Sequence, residues 1–156
     1  RWTQVREAIA AMKACWTEHD SEHHGHYYDF PPVRCYPKPV QRPHPPIYLG
    51  GIMFDGKWAK RVFHRIVKWG DGWIPVVANV DQVIDGRTQL HDLAIAAGRD
   101  PADIRIRVFG AQGQWRTRAA RDAFAAADID DYTVWLNAST VDAIRRELDG
   151  LAKEIL

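Results

Sequence analysis

The sequence predicts an α/β fold built from four βα units, the C-terminal half of a (β/α)8 (TIM) barrel. Three observations carry this reading. From residue 47 onward, short β-prone runs alternate with longer stretches of helical periodicity, the pattern of parallel strands joined by right-handed crossovers. Four such strands are half of what a closed barrel needs. The chain also opens in helix-forming sequence with no initiator Met, as the second half of a longer β/α protein would. A small open doubly wound sheet is the alternative arrangement of the same units. Residues 1–156 read as a single domain with an irregular excursion at 19–45.

The elements follow in order. Val5, Ile9, Met12 and Trp16 lie at spacings of four, three and four, which marks one face of a helix over residues 2–18. Seven of the nine prolines then fall within 31–46. Proline removes amide donors and clashes with the preceding turn, so this stretch is an ordered excursion or a long loop. Ile47-Tyr48-Leu49 is a short buried strand closed by Gly50-Gly51, and a helix is expected over 54–68 with Trp58, Val62, Phe63, Ile66 and Val67 on its apolar face. Asp71-Gly72 turns into a strand over 73–77. The helix at 81–97 stops at Gly98, suited to a left-handed C-cap. Asp100 caps a short turn at Pro101, a favoured first helical position. A strand at 104–109, a polar loop at 111–117 and a helix at 118–127 come next. The last unit is a strand at 132–136 and a helix at 141–155, with Ser139 or Thr140 as its cap.

Composition narrows the function. The net charge of +1 and the dispersed basic residues give no electrostatic footprint for nucleic acid or an anionic membrane. No apolar run reaches membrane-spanning length. Cys15 and Cys35 have no CxxC spacing, and two reduced thiols in a cytoplasmic protein is the better reading. Four histidines, His19, His23, His24 and His26, cluster near Glu18 and Glu22, but their spacing fits no known zinc pattern. The His26–Phe30 run reads instead as an aromatic-rich β-like edge. No metal site is assigned, and neither a serine elbow nor an activated cysteine is present.

Three segments could carry chemistry. Gly50-Gly51 ends a strand and, with a helix starting behind it, could bring backbone N–H groups and a positive helix end to a phosphate; a tight turn that binds nothing is the alternative. Trp73 opens a strand whose C-terminal end faces a barrel's mouth, or it is a core residue. Gln112, Gln114 and Arg116 follow the 104–109 strand and offer amides and a guanidinium to a substrate, or they form a solvated loop.

These segments together carry a resemblance. Pro37-Lys38-Pro39-Val40-Gln41-Arg42-Pro43-His44-Pro45-Pro46-Ile47-Tyr48-Leu49-Gly50-Gly51, then Asp71-Gly72-Trp73-Ile74-Pro75, then Ala97-Gly98-Arg99-Asp100-Pro101 resemble the C-terminal half of bacterial-luciferase-like monooxygenases. The opening helix with Met12 and Trp16, the Gly25–Phe30 segment and the closing Leu148-Asp149-Gly150-Leu151-Ala152 fit the same pattern, which is closest to the deazaflavin branch that uses coenzyme F-420. The resemblance implies an oxidoreductase that passes hydride between coenzyme F-420 and a small organic substrate at the barrel mouth. An FMN-dependent monooxygenase using dioxygen is the first alternative. The second is a non-catalytic half-barrel that acts by self-association. The resemblance further implies cofactor contacts from Gly50, Gly51, Met53, Phe54, Asp55, Gly56 and Trp73, and substrate contacts from Gln112, Gln114 and Arg116. It assigns no catalytic residue within this chain. A half-barrel has open edges and an apolar inner face, so a homo-oligomer such as a dimer, or pairing with an N-terminal half, is expected.

Overall fold

The computed structural model describes residues 1–77, 79–129 and 131–156. It divides into two compact units, Arg1–Pro46 and Ile47–Leu156.

In the first unit, helix α1 spans Trp2–Thr17 and buries Ile9 and Ala11. Met12, placed on the apolar face by its spacing, is 40% exposed. The excursion is not structureless. Strands β1 (Ser21–His24) and β2 (Asp29–Val33) pair antiparallel, with a register shift between Ser21 and His23. Ser21, fully buried, donates its hydroxyl to the carbonyls of Ala14 and Glu18 and so closes the end of α1. Glu7 on α1 accepts from the backbone N–H groups of Tyr27 and Tyr28 at 2.6 and 2.7 Å, which fixes the hairpin turn. His26–Tyr28 form that turn, and only Asp29 and Phe30 of the expected edge are strand. Lys38 ties the proline-rich segment to the same helix end through the carbonyls of Cys15 and Glu18.

The second unit carries the parallel sheet. Strand β3 spans Tyr48–Phe54, β4 Lys57–Trp58, β5 Gly72–Val76, β6 Arg105–Phe109 and β7 Asp131–Thr133. Helices α2 (Lys60–Trp69), α3 (Val80–Ala96), α4 (Arg118–Ala126) and α5 (Val141–Ile155) follow β4, β5, β6 and β7. Strands β3, β5, β6 and β7 are parallel and neighbour one another in chain order. A doubly wound sheet reverses its strand order at a switch point; this one does not. Four consecutive βα units laid side by side are the arrangement of a barrel half.

One expected element is overturned. Residues 54–59 do not begin a helix. β3 runs through Gly50-Gly51 to Phe54, turns at Asp55-Gly56 and returns as β4, pairing Met53 with Trp58 and Phe54 with Lys57. Asp55 and Gly56 both have positive φ, 50° and 68°, as a two-residue type I′ hairpin requires. Trp58, expected on a helix face, is a buried strand residue. The final strand is also shorter than expected, three residues in place of five.

The core lies between the sheet and its helices. Trp73 is at its centre, fully buried and edge-to-face with Trp58 and Phe63 at 4.8 and 5.2 Å. Gly86 on α3 makes room for both indoles, since a Cβ there would come closer than 3.0 Å to each of them. Arginines close the helix ends, where carbonyls lack intrahelical partners. Arg99 donates to the carbonyls of Ile66, Val67 and Gly70 at the end of α2. Arg87 on α3 does the same for Ala127 and Asp128 after α4, and Arg121 on α4 for Ile155 and Leu156 at the end of α5.

Candidate functional site

Strand alternation gives the sheet two faces. Leu49, Trp73, Ile106 and Val108 point to the helices and are buried. The other face carries Gly50 beside Ile74, Ile52 beside Val76, Val76 beside Phe109, and Phe109 beside Thr133. It is open, with Ile52 61%, Phe54 81%, Val76 39% and Phe109 36% exposed.

This open face is graded along the strands. Toward the strand starts it is polar. Arg107 forms a two-pronged ion pair with Asp131 at 2.6 and 2.7 Å and lies 5.2 Å from the Tyr48 ring centroid. The hydrogen bonds to Asp131 push the Arg107 guanidinium above its usual value. Toward the strand C-termini it is apolar and aromatic: Ile52, Phe54, Val76 and Phe109, with Trp135 set edge-to-face on Phe109 at 6.0 Å. In a βα barrel the C-terminal end of the strands is the functional mouth. An apolar shelf there suits a flat ring.

The loops at this end are tied down from within. Gln114 accepts from the Ala111 N–H and donates to the Val77 carbonyl, joining the ends of β5 and β6. Arg116 donates to the Trp135 carbonyl at 2.7 Å and to Glu147 at 2.6 Å. Glu147 also accepts from the N–H groups of Asn137 and Ala138. Those two backbone donors, and then the Arg116 guanidinium, hold its carboxyl below the usual glutamate value. Gly110 is needed for close approach, because a Cβ there would collide with the Thr133 carbonyl oxygen.

The predicted site residues fall into separate places. Gly50 lies on the open face with free space above it: a Cβ added there would have the Ile74 carbonyl oxygen as its nearest neighbour, at 3.9 Å. Gly51 turns the other way, and a side chain there would press on the Trp73 indole nitrogen at 3.0 Å. Met53 packs against the core, Phe54 is exposed, and Asp55 and Gly56 form the hairpin turn. The helix N-terminus that motivated a phosphate site at 53–56 is absent there; α2 starts at Lys60. Trp73 lies on the helix side of the sheet, away from the open face. Gln112 is exposed at a turn, whereas Gln114 and Arg116 direct their polar groups inward. Sequence reasoning missed Phe109, Trp135 and Glu147. The alternation of 131, 133 and 135 was the available signal for Trp135. Glu147 sits ten residues beyond the loop it holds and left none.

In the histidine group, His24 pairs with Asp29 at 2.7 Å, His19 with Asp20 at 3.1 Å, and His23 lies 3.9 Å from Glu7. Among the described residues, no group of three or more His, Cys, Asp or Glu side chains is placed to hold a metal ion, and no helix is long and apolar enough to cross a membrane.

Comparison with known proteins decides the family, because the luciferase-like monooxygenase family matches residues 1–154. The chain belongs to the luciferase-like monooxygenases. An uncharacterized Mycobacterium tuberculosis protein is 39% identical over 103 residues, 64% of this chain and 33% of that protein. The FMNH2-dependent dimethylsulfone monooxygenase of Pseudomonas putida is 33% identical over 108 residues, 69% of this chain and 27% of that enzyme. The chain therefore spans about a third or less of the length of these relatives. Among solved structures, DmoA from Hyphomicrobium sulfonivorans superposes with a TM-score of 0.51 at 17% identity, over 99% of this chain and 41% of that one. That likeness bears on the fold alone.

Proposed function

We propose that this chain forms the C-terminal half of the barrel in a flavin-dependent oxygenase, in which reduced FMN and dioxygen act on a small organic substrate at the mouth. The observation that carries this is the apolar and aromatic shelf at the C-terminal end of the open face, within a chain of the luciferase-like monooxygenase family. The FMNH2-dependent relative favours FMN as the form of flavin. Reduced FMN, when bound, supplies two electrons, so that one oxygen atom of dioxygen enters the substrate and the other leaves as water. The chain's own contribution is placement and exclusion of water. Ile52, Val76 and Phe109 offer an apolar floor, and Gly50 keeps the space beside Ile74 clear of side chain. Acid–base residues are expected from the other half of the barrel.

The deazaflavin reading, hydride transfer between coenzyme F-420 and a small organic substrate, uses the same shelf. It is favoured by the order of motifs along the sequence, which resembles that branch. Parallel fluorescence titrations of the intact protein with FMN and with coenzyme F-420 separate the two. Saturable FMN binding with much weaker F-420 binding is the expected result. The reverse preference moves the protein to hydride transfer, and binding of neither removes both cofactor assignments. We also propose that the open strand edges make pairing, with a second copy or with an N-terminal half-barrel, part of how the chain works.

A further inference from the structure

We infer that Trp135 is a wall against which the flavin ring lies, and that Arg116 and Glu147 are the pair that positions it. This rests on the flavin-dependent reading above and names the part of the chain that meets the ring.

Trp135 is two residues beyond Thr133 and continues the open face past the end of β7. Its side chain is 49% exposed and stands at 87° to the Phe109 ring. A large indole uncovered at a barrel mouth is a ready surface for a flat partner. What sets it apart from other exposed apolar residues is how its backbone is held. Arg116 binds the Trp135 carbonyl, while Glu147 binds the N–H groups of the two residues that follow Leu136, and Arg116 and Glu147 bind each other. Their side chains are only 24% and 13% exposed. The segment is thus pinned at and just beyond an indole that is half exposed. Fixing a contact residue before the ligand arrives removes the ordering cost that binding would otherwise carry.

Two polar side chains of this region, Arg116 and Gln114, are engaged inside the protein, directing their donors to Trp135, Glu147 and Val77. The half-exposed indole and the Phe109 ring beside it offer aromatic surface at the mouth, which suits a conjugated ring. The role expected for Arg116 as a direct substrate contact becomes that of a positioning residue.

The test uses the intact protein with FMN as the probe. Trp135→Ala should weaken FMN binding about tenfold or more, while Trp135→Phe should stay within about threefold of wild type. Glu147→Gln should weaken it less than Trp135→Ala, and should add nothing further in the Trp135→Ala background, as coupled residues do in a double-mutant cycle. Arg116→Lys serves as the second route to the same cycle if Glu147→Gln does not fold. A wild type that binds FMN beside a Trp135→Ala variant that binds it equally well overturns the Trp135 assignment alone. An undiminished Glu147→Gln effect in the Trp135→Ala background overturns the positioning role. A wild type that does not bind FMN overturns this inference together with the FMN reading.

Discussion

Single residues decide how the two indoles of the core pack. Trp73 and Trp58 fill space that Gly86 leaves open. A Cβ at position 86 would come closer than 3.0 Å to both rings, and neither can swing aside as a flexible chain end would, because each is a ring held in the core. Gly86→Ala should therefore destabilise by about 1–3 kcal/mol through overpacking, read by urea denaturation. Gly150 on α5 has nothing within 4 Å of its Cβ position, so Gly150→Ala should stabilise by about 0.5–1 kcal/mol through helix propensity. Opposite signs for two helical glycines would show that packing and not helix propensity governs position 86. Glu147 offers a pH test. Its carboxyl is held below the ordinary value of 4.5 by the backbone donors of Asn137 and Ala138, and by Arg116. A carboxyl lowered in the folded state stabilises fully above the unfolded value and loses that contribution as pH falls through the folded value. The stability gap between wild type and Glu147→Gln should thus hold at neutral pH and close as pH drops below 4.5, measured by denaturant titration at a series of pH values. A gap unchanged down to about pH 3 would refute this assignment of charge.

At the scale of elements, the arginine caps connect neighbouring βα units. Arg99 lies between α3 and the 3-10 turn at Pro101–Asp103, yet its guanidinium satisfies three carbonyls at the end of α2. Arg99→Met keeps the apolar stem and removes every side-chain donor, and should cost about 1.5–3 kcal/mol because its charged hydrogen bonds to the Ile66, Val67 and Gly70 carbonyls are lost. Hydrogen exchange should show the loss locally, as faster exchange in the last turn of α2. The Ala97-Gly98-Arg99-Asp100-Pro101 motif was legible as a cap and a turn: Gly98 has φ 73°, and Asp100 accepts from the Ala102 N–H. The reach of Arg99 to another helix was not legible, since it joins residues about thirty apart. The β3–β4 hairpin shows the opposite error. Asp55-Gly56 is a strong hairpin signal, but the apolar residues at 58, 62, 63 and 66 imitate helical spacing and place the expected helix start several residues too early.

For the whole molecule, the parallel sheet leaves β3 without a strand partner along residues 48–52 on the side away from β5, and β7 without one beyond β6, among the described residues. Unpaired edges and an exposed apolar face favour association. Light scattering on this 156-residue chain should give a mass above that of one chain, and a clean monomer at high concentration would count against the open-face description. The sequence by itself determined the four βα units, their succession along the chain and most helix boundaries, because these depend on periodicity, caps and turn residues that act over a few positions; the luciferase-like family was legible only as a resemblance carried by the motifs at 37–51, 71–75 and 97–101. Only the tertiary structure decided that the strands keep chain order, that Gly50 and Gly51 serve opposite faces, that Trp73 belongs to the core, and that Gln114 and Arg116 turn inward to hold the loop behind Trp135. Strand parity assigns a residue to one of two faces, but which face is covered by helices, and which polar groups find partners within the protein, depend on contacts between residues far apart in sequence.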